Sequence, residues 1–146
     1  MAARKTEEIT VYVDGASLGN PGPAGAGIVL TAGGEVIHRA SIPLGATTNN
    51  VAEYRALIAG LHEAAARQAR RVTVRSDSEL LVKQMRGEYR VKAAHLRPLH
   101  EWAMKLTRRF EEVTWQHVPR EENREADALA KQGAERAADS GDTPTP

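Results

Sequence analysis

The first third of the chain alternates between apolar and polar residues with the two-residue period of a β-strand. Residues 9–14 form one such run, which closes on Asp14, and this alternation is typical of a half-buried strand. A second apolar run covers residues 24–30, and a third extended segment covers residues 36–42. Short turns separate the three runs. We therefore predict three strands that pair as antiparallel neighbours.

After Gly45 the pattern switches between the helical period and the extended one. In chain order it predicts a helix ending near Gln68, a strand over residues 71–76, a short helix ending at Gly87, a helix over residues 96–110, a strand over residues 113–118 and a helix over residues 124–137. The resulting order is βββαβααβα. It predicts an α/β fold with a five-stranded mixed sheet flanked by helices.

Length and composition fit a single globular domain. The chain has 146 residues, of which 41% are hydrophobic, enough for one core. We expect residues 1–138 to form one domain, with Trp102 and Trp115 in its core. Residues 139–146 are polar and contain proline, so we expect a disordered C-terminal tail.

The absence of cysteine and of long apolar segments limits where the protein is expected to work and which partners it is expected to have. The chain has no cysteine, which excludes a disulfide scaffold and a thiolate metal site. Its N-terminus lacks the apolar stretch of a signal peptide, and no apolar run is long enough to cross a bilayer. We therefore expect a cytoplasmic protein without a membrane partner. The net charge of only +1 does not by itself indicate a nucleic-acid partner.

The candidate chemistry rests on four acids. Asp14 is followed by a stretch rich in glycine and proline, residues 15–25, and a carboxylate beside accessible backbone N–H groups suits phosphate chemistry. Glu53 lies in the first turn of the first helix, Asp77 directly follows the fourth strand, and Asp127 lies near the start of the last helix. Such positions can converge at one edge of an α/β sheet. Four carboxylates together need cations, and oxygen ligands suit Mg²⁺ or Mn²⁺.

Each acid also has an ordinary structural interpretation. Glu53 stands three residues after Asn50, which fits a helix-capping pair. Asp77 could begin the short helix, where the helix dipole favours an acid. Asp127 could be a solvated charge, and Asp14 could be a turn residue before glycine. The spacing of the residues leaves both interpretations open.

Four blocks of residues carry a more specific pattern. They are Tyr12-Val13-Asp14-Gly15 through Gly19-Asn20-Pro21-Gly22-Pro23-Ala24-Gly25, then Thr47-Thr48-Asn49-Asn50-Val51-Ala52-Glu53-Tyr54, then Ser76-Asp77-Ser78, and finally His117-Val118-Pro119-Arg120 with Asn123 and Ala126-Asp127-Ala128-Leu129-Ala130. Together, and in this order, the blocks resemble type 1 ribonuclease H. The βββαβααβα order resembles the fold of the same family.

The resemblance implies a metal-dependent endonuclease that cuts the RNA strand of an RNA–DNA hybrid and leaves 5′-phosphate and 3′-hydroxyl ends. It implies two Mg²⁺ ions, for which Mn²⁺ could substitute. Asp14 would bridge the two ions, and Asp127 would help to hold the ion that activates water. Glu53 and Asp77 would hold the ion at the leaving oxygen.

The resemblance also implies contacts with the hybrid. The positions that match substrate-binding residues are Gly15, Asn20, Thr48, Asn49 and Asn50. His117 and Arg120 are candidates for a role in product release. Between Met85 and Leu96 the chain is short, so it looks like the form of the family that lacks a basic handle region.

Two other functions stay open at this point. One is cleavage of double-stranded RNA by the same site, and the other is a non-catalytic domain that binds nucleic acid. The complete set of four acids argues against a binding domain, which needs no converging carboxylates. We expect the protein to act as a monomer.

Overall fold

Five strands and four helices make up residues 7–141, the part of the chain that the computed structural model describes. In chain order they are β1 (Glu8–Ser17), β2 (Gly22–Ala32), β3 (Glu35–Thr47), α1 (Asn49–Ala66), β4 (Arg71–Ser76), α2 (Glu79–Met85), α3 (Arg97–Thr107), β5 (Glu112–His117) and α4 (Arg124–Gly141). Single turns of 3₁₀-helix precede α3 and α4. The predicted order βββαβααβα is confirmed.

The strands form one mixed sheet in the order β3-β2-β1-β4-β5. Strands β1, β2 and β3 pair antiparallel, whereas β4 pairs parallel with both β1 and β5. Strand β1 is therefore central, and its end lies beside the end of β4. The predicted five-stranded mixed sheet with three antiparallel strands is confirmed.

The helices cover the two faces of this sheet. On one face α1 packs against β1 and β2, and α3 packs on α1. The main core lies between α1 and the sheet, where Val11, Val13 and Ile28 surround Gly60 of α1. On the other face α4 crosses β1, β2 and β3. No helix within residues 7–141 combines the length and the apolarity that a membrane crossing needs.

Two glycines of β2 let α4 approach the sheet closely. A Cβ atom on Gly27 would lie 2.1 Å from the Ala126 carbonyl oxygen, and one on Gly25 would lie 2.3 Å from the Ala130 carbonyl oxygen. No real Cβ atom tolerates such distances. The helix backbone therefore rests directly on the strand backbone, which fixes the height of α4 above the sheet.

Several predicted boundaries are wrong, including the ends of β1 and α4. Strand β1 does not close at Asp14 but continues to Ser17, because residues 15–17 stay paired with residues 24–26 of β2. Helix α4 does not end at residue 137 but reaches Gly141. Residues 139–141 therefore belong to the helix, and the remainder of the predicted tail lies outside the described residues.

Candidate active site

Four carboxylates from separate elements line one cleft of about 620 Å³. Asp14 is on β1, Glu53 is near the start of α1, Asp77 lies between β4 and α2, and Asp127 is near the start of α4. One oxygen from each of Asp14, Glu53 and Asp77 lies within 4.8 Å of the other two. Residues that are up to 113 positions apart in sequence thus converge, as the sheet topology allows.

Glu53 is held in the cleft by the backbone of β1. The Gly15 N–H donates to Glu53 Oε1 at 2.8 Å. A Cβ atom on Gly15 would lie 2.3 Å from the Glu53 nitrogen, so only glycine allows the two backbones to meet there. The N-cap of α1 is Thr48, which accepts from the Val51 N–H at 3.3 Å. The interpretation of Glu53 as part of a capping pair with Asn50 is therefore wrong.

Asp77 is also free of a capping role. The N-cap of α2 is Ser78, whose hydroxyl accepts from the Leu81 N–H at 3.2 Å. Ser76, which is fully buried, accepts from the Ser78 N–H at 3.0 Å and fixes the turn. Asp77 precedes the cap, so the interpretation that it begins α2 is wrong, and its carboxylate faces the other acids.

Asn123 joins the start of α4 to β1. Its side-chain Nδ2 donates to the Val13 carbonyl at 2.9 Å, and its own carbonyl accepts from the Asp127 N–H at 3.0 Å. The side chain is 1% exposed, and its Oδ1 has no partner among the described residues. Because Val13 adjoins Asp14, this pair of bonds sets the spacing between Asp14 and Asp127.

Burial and the neighbouring carboxylates raise the pKa of Asp14 and of Glu53. Burial raises the pKa of Asp14 to about 9, with further contributions from Glu53, Asp77 and Asp127. Burial and the charge of Asp77 raise the pKa of Glu53 to about 8, although the Gly15 N–H opposes that rise. Burial also acts on Asp127, but hydrogen bonds with Asp14 and Lys131 outweigh it and lower the pKa of Asp127. The pKa values of these two neighbouring carboxyl groups therefore move in opposite directions.

The protein supplies cations to only one side of this cluster. Lys131 Nζ lies 3.3 Å from Asp127, and Arg120 Nη2 lies 3.5 Å from it. The interpretation of Asp127 as a merely solvated charge is therefore wrong. Within residues 7–141, no ion pair reaches the other three acids. Three mutually close oxygen ligands, of which Asp14 is buried and Glu53 and Asp77 are partly exposed, without a protein cation fit a hard divalent ion such as Mg²⁺ or Mn²⁺.

Of the five residues predicted to bind substrate, two line the cleft, two lie beside these and one lines a neighbouring groove. Gly15 and Asn49 line the cleft itself. The Asn20 Oδ1 accepts from the Asn49 N–H at 3.0 Å, which ties the β1–β2 turn to the start of α1. Thr48 caps α1 beside them. Asn50 lines a neighbouring groove of about 530 Å³ rather than the cleft.

His117 and Arg120 both line the cleft, and both are exposed. Sequence reasoning missed two charged residues of the cleft wall, Lys131 and Glu135. The signal for Lys131 was present in the chain, because residues four apart on a helix are neighbours and Lys131 follows Asp127 by four.

Comparison with known proteins agrees with this geometry. A family model described as reverse transcriptase-like matches residues 12–133. The bifunctional protein Rv2228c of Mycobacterium tuberculosis is 41% identical over 91% of this chain, which spans only 37% of that protein. The ribonuclease HI of Halobacterium salinarum is 41% identical over 88% of this chain and 65% of its own length.

Solved structures extend the likeness to three dimensions. The N-terminal RNase H domain of Rv2228c superposes with a TM-score of 0.88 at 41% identity, over 91% of this chain and 97% of that domain. LC11-RNase H1, solved in complex with an RNA/DNA hybrid, superposes with a TM-score of 0.83 at 39% identity, over 88% of this chain and 98% of that one. The chain belongs to the type 1 ribonuclease H family.

Proposed function

We propose that this chain is an endonuclease that hydrolyses the RNA strand of RNA–DNA hybrids and leaves 5′-phosphate and 3′-hydroxyl ends. The observation that carries the proposal is the convergence of Asp14, Glu53 and Asp77 within 4.8 Å, in a cleft that Asp127 also lines. The match to LC11-RNase H1, whose structure contains an RNA/DNA hybrid, supports the choice of substrate. The chain spans 37% of Rv2228c and 65% of the ribonuclease HI of Halobacterium salinarum, so the proposed activity concerns this domain.

The four acids divide into two overlapping ligand sets. Asp14, Glu53 and Asp77 would hold one divalent ion, and Asp14 with Asp127 would hold a second. We place Asp14 in both sets because its carboxyl group interacts electrostatically with the other three acids, Glu53, Asp77 and Asp127. When bound, a pair of Mg²⁺ ions, or Mn²⁺ in their place, stabilises the attacking and the leaving oxygens of a phosphodiester.

The remaining work of the chain is positioning. The Gly15 N–H keeps Glu53 Oε1 turned into the cleft, and Asn123 keeps α4 at a fixed distance from β1. A shift of about 1 Å in a catalytic group can lower a rate by about a hundredfold. These two contacts therefore matter for activity although neither group reacts.

The rim of the cleft would receive the hybrid. Asn20, Thr48 and Asn49 form a polar edge at the start of α1, with Gly15 below it and Asn50 beyond it. Polar side chains and backbone N–H groups at a helix start are suited to phosphate and 2′-hydroxyl oxygens. Contact with a 2′-hydroxyl would distinguish the RNA strand from the DNA strand.

His117 and Arg120 would assist product release. Both are exposed at the mouth of the cleft, and Arg120 already pairs with Asp127 at 3.5 Å. A cation or an imidazole at this position can bind the newly formed 5′-phosphate while the product dissociates from the site. We further propose that residues 1–138 include the whole catalytic unit and that it works as a monomer.

Cleavage of end-labelled substrates tests the proposal. Hybrid, double-stranded RNA and double-stranded DNA are incubated with Mg²⁺ or Mn²⁺, with wild type, Asp14→Asn and Glu101→Gln. Glu101 is an exposed acid on α3 that does not line the cleft, so it controls for the loss of one negative charge. We expect wild type and Glu101→Gln to cut the RNA strand of the hybrid, and Asp14→Asn to be inactive. An intact hybrid, or preferential cutting of double-stranded RNA, would refute the substrate assignment.

A further inference from the structure

Lys131 is a cleft residue to which the proposed chemistry gives no role. It lies one helical turn after Asp127 on α4, with Nζ 3.3 Å from Asp127 Oδ2. Arg120 reaches the other oxygen of the same carboxylate, Oδ1, at 3.5 Å. Both cations line the cleft. Each oxygen of Asp127 therefore faces a positive charge supplied by the protein.

The distribution of charge across the cleft is uneven. Asp14, Glu53 and Asp77 form a mutually close trio, and within residues 7–141 no ion pair reaches them. Asp127 stands outside that trio and holds both cations. One half of the cleft thus resembles a site prepared for a cation, whereas the other half already contains cations.

A divalent ion between Asp14 and Asp127 would lie close to the Lys131 ammonium. Like charges at such short range disfavour each other, and the ammonium already occupies an oxygen that the ion would use. Lys131 has 54% of its side chain exposed, so it can swing away along the surface of α4 without disrupting the core.

We propose that Lys131 is a resident counter-cation for Asp127 that opposes a divalent ion on the Asp14–Asp127 side of the cleft. The inference rests on the proposed function, since it concerns the same site. Lys131 stays paired with Asp127 while no ion is bound in the cleft, and it leaves this ion pair when the divalent ion binds. A substrate phosphate lowers the cost of this exchange because its oxygens attract the displaced ammonium. Lys131 is therefore a positioning residue that makes this side of the cleft the weaker ion site.

The test is calorimetric titration of Mn²⁺ into the protein without nucleic acid. Lys131→Gln removes the charge, and Lys131→Arg keeps it. Lys83→Met is the matched control, because Lys83 forms the same type of pair with Glu79, four residues earlier and at 3.4 Å, on α2. We expect Lys131→Gln to tighten the weaker phase of Mn²⁺ binding by about threefold or more, the scale of one exposed ion pair. Lys131→Arg and Lys83→Met should bind as wild type does.

Three outcomes would overturn the proposal: unchanged or weaker Mn²⁺ binding by Lys131→Gln, an equal gain in Lys83→Met, or no Mn²⁺ binding by wild type. The first means that Lys131 does not oppose the ion, and the second means that only net charge matters. The result is independent of the substrate. If Mn²⁺ binding tightens as expected while wild type fails to cut hybrid, the role of Lys131 stands and the proposed function fails.

Discussion

Replacing Gly27 with alanine should displace α4 and thereby impair the cleft without touching any of its acids. In the present structure a Cβ atom on Gly27 would lie 2.1 Å from the Ala126 carbonyl oxygen and 2.6 Å from the Ala130 nitrogen. Carbon and oxygen atoms in weak contact stand roughly 3.3 Å apart. The helix must therefore rise by about 1 Å, and Asp127, the residue after Ala126, must move with it.

The size of the effect follows from that displacement. Overpacking of this kind costs about 1–3 kcal/mol in the free energy of unfolding. A misplacement of about 1 Å at a catalytic group lowers the rate by about a hundredfold. We expect Gly27→Ala to stay folded and to lose about two orders of magnitude in single-turnover cleavage of an RNA–DNA hybrid.

Gly34→Ala is the matched control. Gly34 lies in the β2–β3 turn with φ +82°, and a Cβ atom there meets nothing within 4 Å. The left-handed conformation costs alanine about 1–2 kcal/mol, so the two variants lose similar stability in urea unfolding. If Gly27→Ala retains activity within twofold of Gly34→Ala, the position of α4 does not control the cleft.

Three further predictions concern buried polar groups. Because burial raises the pKa of Asp14 to about 9, the folded protein binds this proton more tightly than the unfolded chain, and the metal-free protein loses stability as pH rises from about 4 to about 9. In urea unfolding across this pH range, the stability of Asp14→Asn relative to wild type should increase as pH rises. A stability difference that does not change with pH would contradict the raised pKa of Asp14. Asn123→Ala leaves the Val13 carbonyl without the donor that lies 2.9 Å from it. We expect a loss of about 1–3 kcal/mol in the free energy of unfolding, measured with urea, together with reduced hybrid cleavage. Full activity in this variant would show that Asn123 does not position the acids. Tyr54→Phe removes the 2.5 Å hydrogen bond to Gln84 and should cost about 1–2 kcal/mol with cleavage unchanged, whereas a large loss of cleavage would link this core bond to the cleft.

Much of the fold follows from local patterns. Alternating residues mark the strands, and three- and four-residue spacing marks the helices, so the order of elements could be predicted from the chain. The acids of the cleft could be identified for a related reason, since each stands near a strand end or a helix start. Such positions converge once the sheet order is known.

What the chain alone could not predict depends on contacts between distant segments. Asp14 was expected to end β1, yet the ladder continues to Ser17 because a strand of glycine and alanine in β2 still pairs with it. The hydrogen bond between Gly15 and Glu53 spans 38 positions. The close packing of α4 on Gly27 depends on a contact between two backbones, and such a contact produces no periodic pattern in the sequence.

The tryptophans show the same limit. Trp115 packs against the core as expected, whereas the prediction for Trp102 is wrong, since Trp102 is 47% exposed on α3. Residue type favours burial for both. Which face of α3 meets α1 is decided by the smaller Ala103 and Leu106, which are buried instead.

A metal-dependent site of four acids is tested by cleavage of a labelled hybrid by the four single amide variants, Asp14→Asn, Glu53→Gln, Asp77→Asn and Asp127→Asn, under saturating Mg²⁺. We expect wild type to cut only the RNA strand and to leave 3′-hydroxyl ends. Each variant should lose at least about a hundredfold in rate, with Asp14→Asn the most impaired because both ligand sets include Asp14. Wild-type activity in Asp14→Asn, or cutting that persists in excess EDTA, would show that the four acids do not form such a site.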